Sequence, residues 1–176
     1  SQVEARIWAY PEELAEDGFL GSAGAIAIRN GDGSPYPDDW LPAPGEPWLV
    51  ASDRQVAFRL AMALAEDPDH LVMFPSQGMV HAETTPSGAI LGERLGGFAV
   101  QLPEGASLDV RLQLDAHTWT VATLVGVPVE AVRDLEVVSG VGVDPEAGEF
   151  PYMARAVART AEGVPVFGAP VVWSVD

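Results

Sequence analysis

No cysteine occurs in the chain, which excludes disulfides, zinc–thiolate sites, iron–sulfur clusters and thiol nucleophiles. Lysine is missing too, so all 9 basic residues are arginine, set against 26 acidic ones for a formal charge of −17. A field of that sign repels polyphosphate and anionic lipid, so neither nucleic acid nor a membrane surface is an expected partner. It suits solubility, high salt or the capture of divalent cations, although codon bias is the plainer account of the missing lysine. No stretch approaches the ~18 uninterrupted apolar residues of a spanning helix, and no leader is visible. The first residue is Ser1 and not Met. A processing boundary with the leader already removed is the expectation, and with it an extracellular or cell-surface location.

Histidine is sparse, and His70, His81 and His117 are scattered without ligand spacing, so surface or structural roles are expected for all three. The chain carries no Gly-x-Ser-x-Gly elbow, HExxH pair, P-loop or dinucleotide fingerprint, and no catalytic residue or organic cofactor is expected from its motifs. Gly140 and Gly142 follow a strand pattern without the third glycine or the helix of such a fingerprint, and are expected in turns.

What is present is apolar material and turn formers. Hydrophobic residues make up 48% of 176 residues, with 18 Gly and 15 Pro. That is enough for a core, in a chain punctuated as short strands are. Alternation at period two marks residues 3–9, 23–29, 98–102 and 119–127 as strands, with shorter candidates at 70–75, 78–84 and 89–94. The most regular is 108–114, where Leu108, Val110, Leu112 and Leu114 alternate with Asp109, Arg111 and Gln113. Residues 54–65 are ambiguous: Val56, Phe58, Leu60, Met62 and Leu64 alternate, yet the composition suits a helix and Ser52 with Gln55 matches a capping box. The turn-like Glu-Asp-Pro-Asp and the apolar run that follow favour a strand. Residues 11–18 read as a helical turn or an acidic loop, 30–47 as a proline-rich loop or linker, and 129–134 as a helical turn.

After a new strand at 135–142 and an acidic Pro-Gly loop comes the closing stretch from Tyr152 to Val175, where an alternating strand, a Gly-Pro connection and a return carrying Trp173 are expected. The segment ARAVARTAEGVPVFGAPVVWSV resembles the B–C hairpin of bacterial immunoglobulin-like repeats, the invasin/intimin-like modules of surface proteins and lipoproteins. The resemblance covers about a quarter of the chain, with residues 48–128 matching by pattern alone. It implies an all-β protein of tandem Ig-like β-sandwich modules. Residues 1–47 would pack on a first module at 48–130, and 131–176 would begin a second, incomplete one. Trp173 and Phe74 would be the aromatic anchors between the sheets. A module of ~100 residues is unfinished at Asp176. Its strands would be continued by further chain (the favoured expectation), finish the sheets of the first module, or pair with another chain. The expected partners are therefore proteins or further domains, and the expected role is a non-enzymatic adhesion or spacer scaffold.

One polar constellation stands out. Asn30, Asp32, Ser34, Asp38 and Asp39 place oxygen ligands at near-alternate positions around glycines, as a calcium loop does, but without a closing bidentate Glu and with prolines interrupting the spacing. Calcium there, or a carbohydrate platform using Trp8, Trp40, Trp48 and Trp119, is the alternative function. Asp144, Glu146 and Glu149 form a weaker acidic set. The plainer expectations are a solvated loop and tryptophans that anchor core and loops.

Overall fold

The computed structural model describes residues 5–11, 46–64, 67–72, 78–140 and 153–174. The strand expected at 23–29, the loop at 30–45, the acidic loop at 143–149 and the Phe74 anchor lie outside them. The described residues are mostly β-strand, with a single 3-10 turn at Val129–Ala131 and no α-helix among them.

Of the ambiguous residues 54–65, Val56–Leu64 form a strand. Antiparallel neighbours take both edges of β3 (Val56–Leu64): β1 (Ala5–Pro11) pairs with residues 58–64, and β7 (Gly97–Gln101) pairs with residues 56–59. A strand with ladders on two sides satisfies its backbone as well as a helix would. It also places Val56, Phe58 and Leu60 together on the core face, which helical spacing would scatter. The first sheet runs β1–β3–β7–β6, with β6 at Ile90–Arg94, and β4 (Asp67–Val72) pairs with β3 beside that path. β4 thus takes in residues of the expected Asp-Pro-Asp turn.

The second sheet has seven strands. Two-residue β5 (Val80–His81) borders β8 (Ser107–Leu114), which pairs with β9 (His117–Val127), and β9 runs parallel to β2 (Trp48–Ala51). In β8 the alternation predicted from sequence is realised, with Leu108, Val110 and Leu112 buried. Opposite it the pattern breaks. Val110 pairs with Ala122 and Arg111 with Thr120, so Val121 is the extra residue of a bulge. Val121 and Ala122 are consecutive and both buried, a placement that plain alternation forbids and a bulge permits.

The closing strands join this sheet. β10 (Asp134–Gly140) pairs with β11 (Met153–Arg159), β11 with β12 (Pro165–Phe167), and β12 runs parallel to β2 through Val166–Leu49 and Phe167–Val50. Val157 and Phe167 sit in the same buried cluster as Phe58, Phe98, Val110 and Leu124. The described strands of 131–176 are thus continuous with the second sheet. They extend the sheet of the 48–130 stretch and share its core, because three strands can bury their apolar face only against a layer that already exists.

The return strand also falls earlier than the sequence suggests. It lies within the expected turn, at Pro165–Phe167, and ends at Gly168, whose φ of +73° suits glycine. Phe167 is 1% exposed and is the aromatic anchor, against 53% for Trp173, and residues 169–174 are not strand. Trp48 completes the anchor, half-buried with its ring centroid 5.3 Å from Phe167 and 6.2 Å from Phe58. Trp173→Ala is accordingly expected to change the unfolding free energy by no more than about 0.5 kcal/mol in urea titrations. A loss above about 2 kcal/mol, the size expected of a buried aromatic, would return Trp173 to the core.

Candidate functional site

Asn30, Asp32, Ser34, Asp38 and Asp39, like Asp144, Glu146 and Glu149, lie outside the described residues, as does Trp40. Among the described residues no group of three or more His, Asp or Glu is placed to hold a metal ion. The histidines are separated by the fold as they are in sequence. His70 is in β4, His81 is in β5 with Nδ1 3.4 Å from Met79 O, and His117 opens β9, its ring stacked on Trp119 with centroids 5.8 Å apart.

The polar arrangement with the most defined geometry is one no sequence motif announces. β6 is the last strand of the first sheet and β5 the last of the second, and the Glu93 carboxylate bridges them. Oε1 accepts N–H bonds from Met79 at 2.8 Å and Val80 at 2.7 Å, while Oε2 accepts one from Gly78 at 2.6 Å. Three consecutive amides converge on one anion because Gly78, at φ +67°, turns the chain in a conformation other residues resist. Partial burial by itself would raise the Glu93 pKa. The amides of Val80, Gly78 and Met79 together outweigh it and hold the carboxyl below its ordinary 4.5.

A carboxyl whose pKa is lower folded than unfolded stabilises the fold fully above the unfolded value, and the stabilisation is lost as pH falls through the folded one. The difference in unfolding free energy between the native chain and Glu93→Gln is therefore expected to be largest near neutrality and to shrink below pH 4.5. Paired urea titrations across that range measure it, and a difference that grows on acidification would contradict the bonding.

Among the described residues, two ion pairs brace the second sheet. Arg111 of β8 bonds Glu83, just beyond β5. Arg159 of β11 donates from Nε (3.1 Å) and Nη2 (2.7 Å) to Glu136 Oε2 on β10, and from Nη1 (3.0 Å) to Gly163 O in the following turn. The Arg159 guanidinium thereby ties the outermost strand to the β11–β12 turn, with three donors used in the fork geometry lysine lacks.

β10 also carries apolar side chains toward solvent, with Leu135 45% and Val137 51% exposed. Leu135 pairs with Ala158 and Val137 with Ala156, so the four lie on the face opposite Val157, which is turned to the core. No family model matches the chain, and no curated protein or solved structure matches it.

Proposed function

We propose that residues 48–130 form an immunoglobulin-like sandwich, and that the protein is a non-enzymatic scaffold of the extracellular space or cell surface, of the kind its closing segment resembles. The observation that carries this is the strand order. The run β3–β7–β6 in one sheet follows the B–E–D order of an Ig domain, and β9–β8–β5 in the other follows G–F–C. The chain passes between the sheets in the sequence that order requires, with β4 as an added strand beside β3, and a cluster of apolar residues from both sheets fills the space between them.

A scaffold acts through its surfaces, and the exposed apolar side chains of β10 support that role. Leu135 and Val137 lie beyond the first module's strands, on the side added by the closing segment. Protein partners or further domains of the same polypeptide are the contacts such a face accepts.

Antibodies raised against the chain and applied to intact and permeabilised cells of its source test the reading. Labelling of intact cells is the expected result, and labelling only after permeabilisation would end the surface assignment. A glycan array run with and without calcium adds a second arm. Binding there would replace the scaffold by a carbohydrate-binding module.

A further inference from the structure

We infer that the Glu93 carboxylate is an acid-released clasp: ionised, it holds residues 78–81 across the open side of the two sheets, and once protonated it frees that segment while both sheets stay folded. Besides that clasp, β5 is secured by burial of Val80 in the core, by the Glu83–Arg111 ion pair just beyond it and by a short ladder. Its ladder to β8 consists of the pairs Val80–Leu112 and His81–Arg111, extended by the Gln113 N–H donating to Met79 O at 2.9 Å. Glu93 adds three N–H bonds to that short ladder, and it does so from the other sheet.

The bonding suits only the anion. Both carboxylate oxygens are engaged by donors, Oε2 by Gly78 and Oε1 by Met79 and Val80. A proton on either oxygen adds a donor there and replaces the anion with a weaker, neutral acceptor, so the amide bonds lose their charge-assisted strength. The side chain is exposed, so protons reach it without prior unfolding, and the freed amides can turn to water at small cost.

Other charged or titratable groups adjoin the clasp. Arg94 follows Glu93 on β6; His81 and Glu83 lie on the β5 side; Arg111 of β8 is bonded to Glu83; β7, the other neighbour of β6, carries none. Glu93 accepts from all three amides, and His81 is the neighbouring side chain whose contribution the test has to separate from it. Release bares the outer edge of β8 around Leu112 and Gln113, a row of backbone groups able to pair with another strand.

Amide exchange in the isotope-labelled full chain tests the clasp at neutral pH and at about pH 3, below the ordinary carboxyl range. After correction for intrinsic exchange, protection of Val80 and Gln113 is expected to fall about tenfold in acid, while Val100 and Leu124 keep theirs, as separate opening units do. Glu93→Gln is expected to show the low protection already at neutral pH, and His81→Asn to behave as the native chain. The inference is overturned if Val80 and Gln113 keep their protection in acid, if they lose it only in step with Val100 and Leu124, if Glu93→Gln exchanges like the native chain, or if His81→Asn abolishes the acid response. Should Glu93→Gln fail to fold, the native chain still decides. The amide proton shifts of Gly78, Met79 and Val80 must move together in one step below pH 4.5, and their failure to do so overturns it equally.

Discussion

Phe98→Ala is expected to cost about 3–5 kcal/mol of folding free energy, seen as a lowered urea midpoint with an unchanged slope. Phe58 and Phe98 are direct register partners on β3 and β7, their rings stacked with centroids 5.2 Å apart and planes 11° from parallel. Both are essentially unexposed. The cavity left by truncation would be lined by Phe58 and by core residues of both sheets. Each belongs to a paired strand, so the site cannot collapse without breaking ladders. Trp48, edge-on to Phe58 at 6.2 Å, would lose the support behind its own contact, so the double variant Phe58→Ala/Phe98→Ala is expected to cost less than the two singles summed. A loss below about 1 kcal/mol for Phe98→Ala would remove this pair from the centre of the core.

Gly97→Ala is the second large effect and acts through the backbone. A Cβ at Gly97 would overlap the Phe58 carbonyl oxygen and stand 2.9 Å from Arg59 Cα. Neither belongs to a flexible side chain, so relief requires β3 and β7 to separate where their ladder begins at the Arg59–Gly97 pair. The expected cost is about 3 kcal/mol or more, the upper end of overpacking. Gly92 of β6 supplies the control, because a Cβ there meets nothing within 4 Å. Gly92→Ala is expected to be neutral or to stabilise by up to about 0.5 kcal/mol. Thermal unfolding of the two variants side by side measures the contrast, and equal melting temperatures would show that the β3–β7 approach is looser than described.

Much of the strand content was legible in the chain because one face of each strand is buried and the other wet. Leu108, Val110 and Leu112 alternate with Asp109, Arg111 and Gln113 in sequence, and the structure buries the first set. Where burial departs from that rule, period two misleads. At β9 the bulge turns Val121 and Ala122 inward together. At β12 three consecutive residues, Pro165, Val166 and Phe167, are all buried, so the run reads as a turn. The resemblance to Ig-like repeats makes Trp173 the expected anchor, as the aromatic of the return strand. Which aromatic enters a core depends on where the preceding strand docks, and β12 docks on β2 with Phe167 beside Val50.

The Glu93 clasp was not legible at all. Its partners are backbone amides 13 to 15 residues away, and backbone amides leave no trace in side-chain identity. Gly78 was the one available signal, as a glycine ahead of a short apolar run.

By itself the sequence determined an all-β protein, the absence of thiol chemistry and an acidic surface, since composition and two-residue periodicity act locally and need no partner. Only the tertiary structure decided that the last strands belong to the sheet of residues 48–130, that Phe167 and not Trp173 fills the core, and that one carboxylate joins the two sheets at their open edge. Each of those depends on contacts between residues far apart in the chain. Such contacts form wherever apolar faces and unpaired backbone groups find cover, and the pattern of a single strand does not specify which cover that will be.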